Sequence, residues 1–134
     1  MSIAGGWPAK AVTFIENHDT ARKPFEDFPG DRKRLLQGYA FLLTHPGVPC
    51  IFFSHLMEKG PDVLDPLKDL CLLRRAQNIA RTSWVEVLRS GPACYAALID
   101  GRTIVKIGDE FWGPNNGAGW KLSLSGEGWA IWTK

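Results

Sequence analysis

Two carboxylates and an imidazole fall within four residues of one another in Glu16-Asn17-His18-Asp19-Thr20. They directly follow the run Ala11-Val12-Thr13-Phe14-Ile15, whose β-branched and aromatic side chains read as a buried strand. The C-terminal edge of a strand is where an α/β protein gathers its reactive groups. Carboxylates and imidazoles placed there move protons or steady charge on a bound substrate. The structural alternative for Asp19 is an aspartate capping a turn, and for His18 a buried ring bonded to the backbone.

The elements that position these groups follow from spacing. Ala21 to Gly30 is a proline- and charge-rich loop that leads to Asp31, a candidate N-cap. Leu35, Leu36, Tyr39, Ala40, Leu42 and Leu43 recur at helical spacing and predict a helix over Arg32 to Thr44, ended by His45-Pro46-Gly47. Val48 to Phe53 reads as a second buried strand, with Pro49 near its start, where a missing N–H is tolerated. Asp65-Pro66 pairs an N-cap with a proline at the first helical position, predicting a helix through about Gln77 with Leu67, Leu70, Cys71, Leu73 and Ala76 inward. Strands separated by such helices pair in parallel with right-handed crossovers.

From about Arg81 the period changes from 3.6 to 2. Trp84 to Leu88, a Ser90-Gly91-Pro92 turn, Ala93 to Ile99, an Asp100-Gly101 hairpin turn and Thr103 to Ile107 predict an antiparallel meander. A Gly- and Asn-rich loop, Gly113 to Gly119, leads to Trp120 to Leu124. Glycines at 126 and 128 then turn the chain into a closing strand, Trp129 to Trp132.

Composition narrows the class. With 45% hydrophobic and 22% charged residues the chain is an ordinary globular sequence. Sixteen Lys plus Arg against fourteen Asp plus Glu leave +2 without a block of like charge, so neither nucleic acid nor an anionic membrane is an expected partner. Cys50, Cys71 and Cys94 are an odd number, widely spaced and in apolar segments, which predicts reduced, buried thiols. Residues Met1 to Gly6 lack the basic and apolar regions of a signal peptide, and no run reaches the ~18 apolar residues of a membrane span. The compartment is not specified.

With Trp7-Pro8-Ala9-Lys10 before it, and Leu36-Gln37-Gly38-Tyr39-Ala40 and Leu43-Thr44-His45-Pro46-Gly47 after it, the Glu16 to Thr20 segment resembles the last catalytic-motif region of plant-type α-amylases. Leu98-Ile99-Asp100-Gly101 with Ile104-Val105-Lys106-Ile107-Gly108 resembles the central hairpin of their C-terminal sheet. The resemblance implies an α/β plus β fold. Residues 1–80 would be the last two βα units of a (β/α)8 TIM barrel, and residues 81–134 a small five-stranded antiparallel β-sheet domain. A complete barrel takes ~250 residues, so only part of one fits in 134.

It also implies action on α-1,4-glucans such as starch, with the anomeric configuration retained. Asp19 matches the third catalytic carboxylate, which steadies the transition state; His18 matches a residue that binds the same sugar. Glu16 and Asn17 fix the turn, and Asn17 lines the groove. Retaining glycosidases need a nucleophile and an acid about 5 Å apart. Glu16 and Asp19 do not fit that pair, because side chains at an extended strand end are not held face to face. The family carries its nucleophile and acid after its fourth and fifth strands, and no segment here matches either motif. Glu26, Asp27, Glu58, Asp62, Glu86, Asp109, Glu110 and Glu127 read as solvated charge. The chain is therefore expected to be inactive alone. The family's calcium is held by ligands earlier in the barrel, so no metal site or cofactor is expected here. The oligomeric state is open.

The match departs from the family at Ala21-Arg22-Lys23-Pro24, where a small glycine-containing segment is usual, and at Ser54, where an aspartate usually precedes the histidine. His45 is expected at a helix terminus, favoured by the macrodipole. His55 either faces the barrel mouth or is structural. Trp84, Trp129 and Trp132 are expected to fill the core between sheet and barrel. Trp7, Trp112 and Tyr95 are weaker candidates for a starch-contacting surface, which would require an exposed coplanar pair. The alternatives are a stand-alone truncated product whose sheet binds glucan or protein without catalysis, and a remnant or incomplete reading frame.

Overall fold

The computed structural model describes residues 6–19, 31–115 and 119–134. The Ala21 to Gly30 loop, with the Ala21 to Pro24 departure, Glu26 and Asp27, lies outside them, as does part of the Gly113 to Gly119 loop.

β1 (Val12–Thr13) pairs in parallel with β2 (Val48–Pro49), Val12 opposite Val48. The pairing direction is as expected, but both strands are shorter. Pro49 has no N–H to extend a ladder, and soon after it the chain turns into a short helix, α2 (Phe53–Met57), which carries His55 inward. The strand faces are also more open than buried parallel strands would be. Ala11 is buried, whereas Val12 is 63% and Phe14 47% exposed.

α1 spans Arg32–Thr44, as predicted, and the Asp31 side chain caps it by accepting the Arg34 N–H at 2.9 Å. Its inward stripe is Leu35, Leu36, Tyr39, Ala40, Leu42 and Leu43. The third helix, α3, runs Pro61–Ala76 and so begins before Asp65-Pro66. Gly60, at φ +78°, and Pro61 at the first helical position supply the same start signal five residues earlier, leaving Pro66 inside the helix. The earlier start is favoured because it buries Val63 on the stripe of Leu67 and Leu70. Cys71 and Ala76, expected inward, are exposed, since they lie off that stripe. All three cysteines are free thiols, but only Cys94 is buried; Cys50 and Cys71 are exposed.

Arg74 ties α3 to α1. Its guanidinium donates to the carbonyls of Leu43, His45 and Gly47 at 2.9, 2.8 and 3.0 Å, satisfying acceptors that the end of α1 leaves open.

The five remaining strands are β3 (Val85–Ser90), β4 (Tyr95–Ile99), β5 (Thr103–Ile107), β6 (Lys121–Gly126) and β7 (Trp129–Thr133). They form one antiparallel sheet in the order β3-β4-β5-β7-β6. β3, β4 and β5 form the predicted meander, whereas β7 returns to pair with β5 and β6 takes the outer edge. Asp100 and Gly101 both have positive φ, +48° and +70°, as the predicted two-residue hairpin turn requires. The Asp100 carboxylate also accepts the Trp84 N–H at 2.8 Å and the Ser83 hydroxyl at 2.6 Å, holding the entry to β3.

One sheet face packs on the helices. Ala97, Ile99, Val105, Trp129 and Ile131 share a buried cluster with Leu35, Tyr39, Leu67 and Leu70. Gln37 donates to the Gly128 carbonyl at 3.1 Å at this boundary, and Lys33 pairs with Asp109 at 2.8 Å nearby. Trp129 is buried as expected, but Trp84 is 57% exposed and contributes little to the core. Trp132 is half-buried and meets Trp112 edge-on, their planes 77° apart. That pair is not the coplanar platform a stacked sugar would need. No helix among the described residues is long and apolar enough to cross a membrane.

Candidate functional site

Beyond β1 the chain closes against α1 at Ile15. Its side chain lies over Gly38, where a Cβ would come within 3.0 Å of Ile15 Cδ1, so the absence of a side chain there permits the approach. The next residue turns inward: Glu16 is 5% exposed and its Oε2 lies 2.7 Å from His55 Nε2. His55, 2% exposed, has its Nδ1 2.6 Å from the Tyr39 hydroxyl, and that oxygen accepts the Phe52 N–H at 3.3 Å.

These contacts accommodate one consistent arrangement of protons. Burial raises the Tyr39 phenol to about 12, so it keeps its hydrogen at neutral pH. With its oxygen accepting from Phe52, the hydroxyl donates to His55 Nδ1. With Nδ1 accepting, Nε2 carries the hydrogen that donates to the Glu16 carboxylate, an arrangement assigned from the network. Phe52, Tyr39, His55 and Glu16 form a directional chain beneath the end of β1.

Asn17, His18 and Asp19 lie above it. The Asn17 side-chain oxygen accepts the Asp19 N–H at 2.9 Å, closing an Asx turn. This turn presents the His18 and Asp19 side chains outward, 85% and 77% exposed, with His18 Nε2 3.4 Å from Asp19 Oδ1. His18 is therefore not the buried, backbone-bonded ring that was its structural alternative. Glu16 and Asp19 point to opposite sides of the chain, one into the protein and one into solvent, so they cannot flank a common bond.

Of the other groups raised by the sequence, Asp62, Asp109 and Glu110 form ion pairs with Arg32, Lys33 and Arg89 on the surface. Ser54 sits in α2, one residue before the buried His55. The remaining histidine departs from its expected role. Burial pushes His45 down to about 4, so it is neutral at the end of α1 and gains nothing as a cation from the helix dipole. Its Nδ1 lies 2.8 Å from the Phe41 carbonyl and its Nε2 2.7 Å from the Tyr95 hydroxyl. Tyr95 thus joins sheet to helix and is not a free platform for sugar.

Tyr39 was legible only as an apolar stripe residue. A buried tyrosine needs a partner for its hydroxyl, and that requirement is the signal that could have linked it to a polar neighbour. No group of three or more His, Cys, Asp or Glu side chains that could hold a metal ion occurs among the described residues.

Comparison with known proteins places this geometry in context. A family model described as the alpha-amylase C-terminal beta-sheet domain matches residues 76–133. Over 98% of its length the chain is 39% identical to "Probable alpha-amylase 2" of Arabidopsis thaliana, of which it spans 32%. It is 38% identical to "Alpha-amylase type B isozyme" of Hordeum vulgare over 99% of this chain and 86% of that one. The crystal structure of an Anoxybacillus α-amylase superposes on 90% of the chain, and 37% of its own, with a TM-score of 0.73 at 17% identity.

Proposed function

This chain belongs to the α-amylase family, and from that premise we propose that it supplies one of three catalytic carboxylates, together with the C-terminal sheet domain, to an enzyme that hydrolyses α-1,4-glucans such as starch. Residues 1–80 are the last two βα units of a (β/α)8 barrel and residues 81–134 the sheet domain. Asp19 stabilises the transition state, His18 binds the same sugar, and Asn17 lines the groove. Nucleophile, general acid and calcium ligands belong to strands and loops outside this sequence, so the chain hydrolyses no glucan by itself.

The observation that carries this reading is the outward pair on a fixed base: Asp19 and His18 are exposed side by side on an Asx turn, while Glu16, three residues before Asp19, is buried. A carboxylate that only capped its own turn would bond back to the backbone. Here Asn17 closes the turn instead, leaving the Asp19 oxygens directed outward. In the intact site these oxygens would accept hydrogen bonds from sugar hydroxyls, and such bonds tighten as the ring flattens toward the oxocarbenium-like state. Charge at Asp19 then acts on the transition state more than on the bound substrate.

Joining this chain to the preceding barrel of a related α-amylase tests the proposal. The chimera should hydrolyse starch, and Asp19→Asn should lower kcat by about 10³ or more with a much smaller change in KM. Near-normal kcat in the Asn variant would remove Asp19 from the reaction.

A further inference from the structure

We infer that His55 and Tyr39 are positioning residues for the Asn17-His18-Asp19 turn, acting on it through the buried carboxylate of Glu16. The inference rests on the proposed role of that turn in sugar contact and adds residues from two further elements, α1 and α2. Glu16 is the last buried residue before the exposed pair, and His55 holds its carboxylate at 2.7 Å. His55 is in turn oriented by Tyr39 at 2.6 Å, whose oxygen is fixed by the Phe52 N–H. Edge-on contacts from Tyr39 and Phe52 restrict rotation of the same ring. The segments following the two parallel strands are thereby linked through side chains 39 residues apart in sequence.

A satisfied buried cluster with no positioning role would contribute to stability alone. A positioning chain has a direction: loss of a donor at Tyr39 must reach the turn through the tautomer of His55. With its Nδ1 left without a donor, His55 is free to exchange tautomers or tilt, and Glu16 loses one constraint that aims the following three residues. Glutamine at position 16 still offers an oxygen to Nε2–H and should preserve the alignment, whereas alanine cannot.

Nitrogen-15 NMR of the 134-residue chain tests this without substrate. The wild type should show His55 as the Nε2–H tautomer. Tyr39→Phe and Glu16→Ala should shift its ring nitrogens and raise exchange of the Asp19 amide with water roughly five- to tenfold, the effect of releasing about one hydrogen bond. Glu16→Gln should stay within about twofold of wild type, and Val105 in the sheet should be unchanged in all three. Should either variant fold too poorly for assignment, His55→Gln read at the Asp19 amide replaces it. The inference is overturned if the Asp19 amide is unchanged in Tyr39→Phe or His55→Gln, if Glu16→Gln and Glu16→Ala behave alike, or if exchange rises equally throughout the chain. Failure of Asp19→Asn to affect hydrolysis would instead overturn the proposed role of the turn, leaving the side-chain linkage intact.

Discussion

The Tyr95 hydroxyl on β4 donates to Nε2 of His45, the residue that closes α1, across 2.7 Å. The direction follows from the ring's other side, where Nδ1–H donates to the Phe41 carbonyl at 2.8 Å. A proton added to Nε2 would reverse the bond, with the Tyr95 hydroxyl turned away and its oxygen accepting. Helix and sheet therefore share a hydrogen bond whose direction is set by the charge of His45.

This gives the chain a signed pH dependence. Burial, the leading cause, and the nearby Arg74 lower His45 in the folded state to about 4, against 6.5 for an exposed histidine. The unfolded chain then binds a proton before the folded one does. The contribution of neutral His45 is complete above about pH 6.5, declines as pH falls toward 4, and is constant below. Its full size is on the order of 3 kcal/mol. Urea unfolding of wild type and His45→Gln should converge as pH is lowered from 7 to 4.5, because glutamine does not titrate. Parallel curves over that range would show that the ring is not held neutral by the fold.

The glycines of the sheet should separate by cause. Gly101 has φ +70° with open space around it, so Gly101→Ala bears only the left-handed backbone penalty of about 1 kcal/mol. Gly108, at φ +115°, has no such room, because a Cβ would collide with the Ala93 carbonyl. Gly108→Ala should cost about 3 kcal/mol or more, since β4 or its preceding turn must shift as well. Denaturation midpoints of the two variants measure the difference, and equal losses would contradict the close approach at Ala93.

How far the sequence disclosed this arrangement depended on the range of the interactions. Asp31 capping and the stripe from Leu35 to Leu43 are local, and α1 begins and ends where they place it. The Asp100-Gly101 turn is equally local. Two proline starts, at Pro61 and Pro66, were locally equivalent, and burial of Val63 against tertiary neighbours decided between them. The bend that replaces the second half of the expected Val48 to Phe53 strand has no sequence punctuation; it brings His55 to Glu16 and Tyr39, a pairing that no periodicity encodes. The position of β7 between β5 and β6 is similarly nonlocal, because either order would satisfy the same alternating pattern. At the site, the residue types of Asn17, His18 and Asp19 were legible, while the base beneath them was not.

The purified chain should hydrolyse neither starch nor chromogenic maltooligosaccharides. Among the described carboxylates, Glu16 pairs with His55, and Asp62, Asp109 and Glu110 pair with Arg32, Lys33 and Arg89. On the proposed reading, the attacking and protonating groups that retention requires about 5 Å apart would have to come from elsewhere. Turnover that copurifies with the chain and persists after contaminating amylase is removed would contradict the assignment of both groups to regions outside it.

Hydrogen exchange should divide the molecule by its pairing. β5 lies inside the sheet, bonded to β4 on one side and β7 on the other, and Val105 is fully buried. β1, by contrast, has a two-residue ladder with one described neighbour, and Val12 and Phe14 are 63% and 47% exposed. Opening β1 breaks few contacts, whereas opening β5 breaks two ladders and uncovers the face that packs on α1 and α3. Amides of Val105 and Ile107 should therefore exchange at least about a hundredfold more slowly than those of Val12 and Phe14, a gap of only a few kcal/mol in opening free energy. The apolar side chains exposed at β1 should also make the chain prone to self-association at the edge that no described strand pairs. Uniformly slow exchange at dilute, monomeric concentrations would mean that β1 is protected by contacts other than its pairing with β2.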